Sequence, residues 1–193
     1  MELNQTPKTS NVLVVIDTEY IKKNYPNPSQ DMANPTVINH LSHFMFIAGF
    51  RGIISGQGTA DLHFYAHVGD DVSFTGTSIY ANSDDAVIVY GIKHHTGDQV
   101  FSKFEPNLLT RDRAVMPDPQ TQNGTPPLQT KITFAGYKAK VIYSGRKHFH
   151  IYIALYTMAD DGNTQNLFGY YLWSPAITVL TKGPRSEILH QSQ

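Results

Sequence analysis

No cysteine occurs among the 193 residues, which excludes disulfides, thiolate metal sites and cysteine nucleophiles together. Stability must come from apolar burial and hydrogen bonding. Charge is also scarce: Asp, Glu, Lys and Arg make up 16% of the chain, and 15 basic against 16 acidic residues leave a formal net charge of −1. So even a balance lacks the electrostatic footprint of a nucleic-acid binder or a polybasic membrane surface. Charge near zero favours self-association instead, as a homo-oligomer or a denser particle. Long hydrophobic runs are missing too. The start Met1-Glu2-Leu3-Asn4 is acidic, and the first apolar run, Val12 to Ile16, is far too short for a signal-peptide core or a membrane span. The expected location is the cytoplasm, with no membrane insertion; export by a route that leaves no N-terminal mark stays open.

Enzyme signatures are absent as well. The chain holds no phosphate-cradling G-x-x-x-x-G-K, no G-x-S-x-G nucleophile elbow and no H-E-x-x-H. His63 with His67, and His148 with His150, each share one face of a strand and could together hold a transition metal, but no carboxylate stands at a companion position. Exposed-face histidines account for them more simply. The expectation is a protein without enzymatic activity.

What the chain does have is aromatic and β-branched residues in short bursts. Eleven Tyr and ten Phe favour strands. Asn11–Asp17 reads as a strand inside a sheet, buried on both faces. Thr18 to Tyr25 makes one or two helical turns, capped by Asp17 or Thr18 and stopped at Pro26. Residues 24–39, with three prolines, form a long ordered loop. Strands follow at 44–50, 61–67, 71–75, 86–92, 130–134, 138–143, 147–157, 167–173 and 176–180, separated by glycine turns. Leu62, Phe64 and Ala66 share one face and His63, Tyr65 and His67 the other. Residues 147–157 alternate most cleanly, with Phe149, Ile151, Ile153 and Leu155 inward. From 105 to 127 five prolines break the pattern, which predicts an irregular excursion or edge segment. The last dozen residues look frayed. These features predict one all-β domain over 1–193, an antiparallel β-sandwich of jelly-roll type with long loops and at most short helical turns.

Two oxygen-rich turns stand between strand-like runs. One is Tyr80-Ala-Asn82-Ser83-Asp84-Asp85; the other contains Asp160, Asp161, Thr164 and Asn166. Calcium takes about 6 to 8 oxygens from carboxylates, amides and carbonyls in irregular geometry, so two such turns at one end of a sandwich could enclose it. Asp, Asn, Gly and Thr are also the ordinary residues of exposed turns. A third turn offers His94, His95, Asp98 and Gln99, donors and acceptors of the kind that sugar hydroxyls require. Together these predict a calcium ion held by Tyr80, Asp160, Asp161, Thr164 and Asn166, beside a carbohydrate held by His94, Asp98 and Gln99. Nine histidines add a second expectation. Their protonation below roughly pH 6 would drive the net charge strongly positive and alter solubility.

Val12-Leu-Val-Val-Ile-Asp-Thr18, Tyr25-Pro-Asn-Pro-Ser-Gln-Asp31, Gly58-Thr-Ala-Asp-Leu62, the run from Gly76 to Gly91, and Leu155-Tyr-Thr157 with Gly169-Tyr-Tyr171 resemble the AidA/PixA inclusion-body protein family of bacteria. The resemblance spans nearly the whole chain. It implies a soluble bacterial protein, accumulated in some members as cytoplasmic crystalline inclusions, with no enzyme activity and no catalytic residue. Members known for inclusions are methionine-rich, and the five methionines here argue against methionine storage. A fainter similarity is to small calcium-dependent galactose-binding bacterial lectins. In those, a tyrosine and a late Asp, Thr and Asn loop hold calcium, in places comparable to Tyr80, Asp160, Thr164 and Asn166, and Asp98-Gln99 resembles the sugar-contacting turn. That likeness implies galactose-type sugars.

Overall fold

Two β-sheets enclose one apolar core. The computed structural model describes residues 6–49 and 51–181; the expected fraying of the last dozen residues lies outside them. The first sheet has the order β3-β1-β6-β9-β8, built from β1 (Thr9–Ile16), β3 (His43–Ala48), β6 (Asp71–Ser78), β8 (Glu105–Asp118) and β9 (Gly124–Lys140). The second runs β2-β11-β10-β12-β5-β4, with β7 (Ala86–Gly97) on the other side of β10 (Gly145–Met158). Its remaining members are β2 (Thr36–Val37), β4 (Ile53–Ser55), β5 (Asp61–Tyr65), β11 (Gln165–Trp173) and β12 (Ala176–Leu180). The sheets do not close into a barrel, and the helix α1 (Thr18–Asn24) is one short element between β1 and the loop that follows.

The alternating pattern decides which side chains face inward. Leu62 and Phe64 on β5, and Phe149, Ile151, Ile153 and Leu155 on β10, are all within 1% of complete burial. They meet Val12, Val14, Val72 and Phe74 from the first sheet in a single cluster with Tyr171 and Trp173. Each such side chain contributes about 1.5–3 kcal/mol by leaving water. Of the two expected caps it is Asp17 that caps α1, accepting a hydrogen bond from Tyr20 N at 2.9 Å.

Three features depart from the sequence-based expectation. β1 does lie inside a sheet, but only one of its faces is buried, and Leu13 on the other is 40% exposed. The sheets are mixed: β1 pairs parallel with β6, β12 with β5, and β11 with β2. Such neighbours need a crossover rather than a hairpin, and the apolar period of a strand carries no information about direction.

The third departure is the largest. Residues 105–127 are the edge segment rather than the irregular excursion, and a regular one apart from the turn at 119–123, for β8 is a continuous 14-residue strand paired antiparallel with the 17-residue β9. Prolines do not break it because Pro106 and Pro117 lie near the two ends of an edge strand, where a missing N–H breaks no ladder. β9 joins β6 only from Tyr137 to Lys140. Beyond that base the two strands project as a ribbon with no other strand beside them among the described residues.

Candidate functional site

The two oxygen-rich turns meet at one rim. Gln165, the first residue of β11, extends its amide to the other turn, and its Nε2 donates to the carbonyl oxygens of Asn82, Ser83 and Asp84 at 3.0, 2.8 and 3.2 Å. Ala81 and Asn82 both have positive φ, 53° and 64°, conformations that side chains adopt only when held. Asn82 Oδ1 holds the turn by accepting from Ser78 N and Val87 N, and Ser78 Oγ accepts from Asn82 N.

Beneath this rim is a cavity of about 330 Å³ lined by Glu19, Lys22, Tyr80, Asp84, Asp85, Thr157, Met158 and Phe168. Lys22 Nζ lies 2.7 Å from Glu19 Oε1 and 2.8 Å from the buried Asp85 Oδ2. Burial opposes the Lys22 charge, but its bonds to Asp85 and Glu19 outweigh that and raise its pKa. The rim carboxylates thus already have a cation, supplied by α1.

The residues expected to hold calcium are brought to this rim but are largely engaged. The Tyr80 hydroxyl donates to Glu19 Oε1 at 3.1 Å. The Asp161 carboxylate closes its own turn, accepting from Asn163 N, Thr164 N and Thr164 Oγ1 at 2.8, 2.8 and 2.6 Å, which lowers its pKa. Asn166 sits in β11 opposite Thr157. Asp160 is exposed at the turn tip. No group of three or more His, Cys, Asp or Glu able to hold a metal occurs among the described residues.

The expected sugar-binding trio is divided in a similar way. His94 on β7 packs between Phe104 and Phe149, ring centroids 5.8 and 6.1 Å away, with Nε2 3.2 Å from Ser102 O. Burial lowers its pKa. Asp98 Oδ2 accepts from Arg146 N at 2.9 Å and pins the start of β10. Gly145, at φ 141°, is the residue that allows this, since a Cβ there would collide with the same oxygen. Gln99 is exposed. A cavity of about 480 Å³ opens beside His94, walled by Ile92, Phe104, Pro106 and Tyr137.

A feature that the sequence reading missed lies on the outer face of the second sheet. Rings from three neighbouring strands form a row: His95 stacks on His150 at 4.1 Å, and Tyr152, Tyr90 and Tyr170 follow with centroid separations of 6.4, 5.7 and 5.6 Å. Lys93 Nζ stands 4.8 Å from the centre of the Tyr152 ring, within cation–π range. A cavity of about 320 Å³ lies against Tyr90, Tyr152 and Lys93, its far wall made by Met32 and Ala33. The Tyr90 hydroxyl donates to Met32 O, and burial pushes its pKa up to about 12. The outward alternation of His148, His150 and Tyr152 was the available signal, but its neighbours on β7 and β11 follow from pairing alone.

Among the described residues, no helix is long and apolar enough to cross a membrane. The sequence model of a family described as PixA, inclusion body protein, matches residues 8–179. Among solved structures, the chain is similar to a crystal structure of an inclusion body protein (PixA) from Burkholderia cenocepacia. The two share 31% sequence identity and a TM-score of 0.79 over 93% of this chain and 100% of that one. No curated protein matches.

Proposed function

The chain belongs to the PixA inclusion body protein family, and we propose self-assembly as its function: copies pack into a dense protein inclusion in the bacterial cytoplasm, without catalysis. The observation that carries this reading is the family match across residues 8–179. Composition supports it, because a net charge of −1 leaves copies with little mutual repulsion. Exposed apolar side chains support it too, with Leu108, Val115, Leu41 and Val37 all above 60% exposed.

Light scattering across a concentration series at pH 7 should show particles much larger than a monomer, and electron microscopy of expressing cells should show dense bodies. A monomer at every concentration, with clear cells, refutes the proposal. Acidification should disperse the particles as histidines charge and copies repel. The transition comes later than nine free imidazoles would give, because burial lowers the pKa of His43, His94 and His150. Turbidity that stays flat from pH 7 to pH 4 removes the histidine mechanism.

A second reading, carbohydrate binding, is favoured by one specific observation, the Tyr90 and Tyr152 rings beside Lys93 at an open cavity. Aromatic planes suit the C–H face of a galactose-type sugar, and an ammonium donates to hydroxyls. His94, Asp98 and Gln99 remain the alternative contacts, with calcium at Tyr80, Asp160, Asp161, Thr164 and Asn166. A glycan array probed with and without millimolar calcium should then show binding that Tyr152→Ala abolishes. Binding that survives this change but needs calcium points to the rim instead, and an array without signal ends the carbohydrate reading.

A further inference from the structure

The projecting ribbon of β8 and β9 has two unlike faces. Residues directly opposite each other share a face, and the pairs Leu109 with Phe134, Arg111 with Ile132, Ala114 with Thr130, and Met116 with Leu128 all fall on one of them. Between Arg111 and Ala114 the register shifts by one residue. That bulge returns Ala114 and Met116 to the side that a plain alternation from Leu109 and Arg111 would deny them. The result is six apolar side chains in one stripe, among which Leu109, Met116, Leu128 and Phe134 are 41–50% exposed. The other face carries Leu108 and Val115, 71% and 67% exposed and set apart from each other, and between them it is knit by polar pairs. Thr110 and Thr133 hydroxyls lie 3.0 Å apart, Arg113 Nε donates to Gln129 Oε1 at 2.7 Å, and Asp112 faces Lys131 at 3.9 Å.

A two-stranded ribbon is marginally stable alone in water and holds when its apolar face is covered. Those exposures show that the described residues of this chain leave about half of the stripe's four largest side chains uncovered. Edge pairing through β8 is blocked by the same bulge, by the charged run Arg111-Asp112-Arg113 and by prolines near both ends. Face packing remains.

We propose that the apolar face of the β8–β9 ribbon packs against the same face of the ribbon on a second copy of this chain, about a two-fold axis. This rests on the self-assembly reading and specifies its contact. Several observations favour a second copy over a foreign partner. The stripe carries no carboxylate and a single charged residue, Arg111, whose aliphatic stem adds apolar area, so no charged partner is called for. Stacked ribbons sit about 10 Å apart like any two packed sheets. The uncovered apolar area of these half-exposed side chains is on the order of a few hundred Å² per copy, so the paired stripes fall in the range of weak interfaces, below about 1,200 Å² in total. The contact is isologous and closes on itself, so ribbon pairing yields a dimer from which larger particles are built by other surfaces.

Absence of cysteine makes the test clean. In Ala114→Cys the only thiol lies on the apolar face near mid-ribbon, and in Val115→Cys it lies on the polar face. A short bismaleimide should cross-link the first into dimers and leave the second monomeric on a denaturing gel. The double variant Leu109→Ser with Phe134→Ser should weaken dimerisation at least tenfold in sedimentation velocity, with circular dichroism and melting confirming that the sandwich is folded. The pair Leu108→Ser with Val115→Ser, on the opposite face, should dimerise like the parent. If the parent assembles while the apolar-face double variant assembles equally well and Ala114→Cys does not cross-link, the ribbon contact is wrong and the self-assembly reading stands. If the parent is monomeric throughout, both fall.

Discussion

Asp70→Asn should destabilise the protein by about 3 kcal/mol or more, measured by urea denaturation at pH 7. Asp70 is 3% exposed and its carboxylate serves three parts of the chain. Oδ1 accepts from Lys8 N at 2.9 Å, Oδ2 accepts from His67 N at 2.8 Å, and the guanidinium of Arg51 is paired through both Nε and Nη2. The start of β1 and the turn between β5 and β6 are thereby tied to one charge, and Asp70 O accepts from Val141 N just beyond β9. Burial alone would raise the carboxyl pKa. Arg51 and the two amides outweigh it and lower the value to about 2. The stabilisation is therefore complete above the ordinary carboxylate range and lost as pH falls through about 2. An amide can donate where the carboxylate accepts, and it carries no negative charge to set against the Arg51 guanidinium. Asp112→Asn on the exposed ribbon serves as the contrast. Its partner Lys131 is 3.9 Å away with both side chains in water, and such pairs contribute almost nothing. Equal losses in the two variants would contradict this assignment.

His43→Phe should flatten the dependence of stability on pH between 6.5 and 4. His43 is 1% exposed and stacks on the buried Trp173 with ring centroids 4.4 Å apart. Its Nδ1 is 2.8 Å from Ser42 Oγ, while Nε2 has no hydrogen-bond partner among the described residues. Burial, with a smaller contribution from nearby His40, pushes its pKa down to about 3. The unfolded chain takes up this proton near pH 6.5 and the folded chain only near 3, so between those values the unfolded state binds more protons and stability falls as pH falls. At pH 4 the loss from this residue is about 3 kcal/mol relative to neutral pH. Phenylalanine keeps the ring against Trp173 and removes the titration. The difference between parent and variant in denaturant midpoints at pH 7, 5.5 and 4 isolates the effect. A constant difference across the three would show that His43 does not carry it.

How much of the fold was legible depends on the range of the interactions. The alternation of β10 placed Phe149, Ile151, Ile153 and Leu155 in the core correctly, and the α1 cap was narrowed to Asp17 or Thr18, of which the structure has Asp17. Legibility ended where a second strand was needed. The stripe on the ribbon is hidden in sequence because the bulge after Arg111 breaks the period of β8, and only the register against β9 restores it. The rim behaves likewise. The two oxygen-rich turns were recognisable, but not that Gln165 would fill the space between them by binding three carbonyls more than 80 residues earlier. Nor was it visible that Lys22 would neutralise Asp85.

Side-chain period and turn chemistry, which are local, thus determined that this chain makes short strands, which of their faces are apolar, where α1 begins, and that thiol chemistry is closed to it. Tertiary structure alone decided which strands are neighbours, that three of the pairings run parallel, that residues 105–118 and 124–140 form a projecting ribbon, and which charges are already matched. The physical reason is that an alternating strand specifies the face it buries but not the partner beside it. Hydrogen bonds and ion pairs between residues such as Lys8 and Asp70, 62 positions apart, exist only once that partner is chosen.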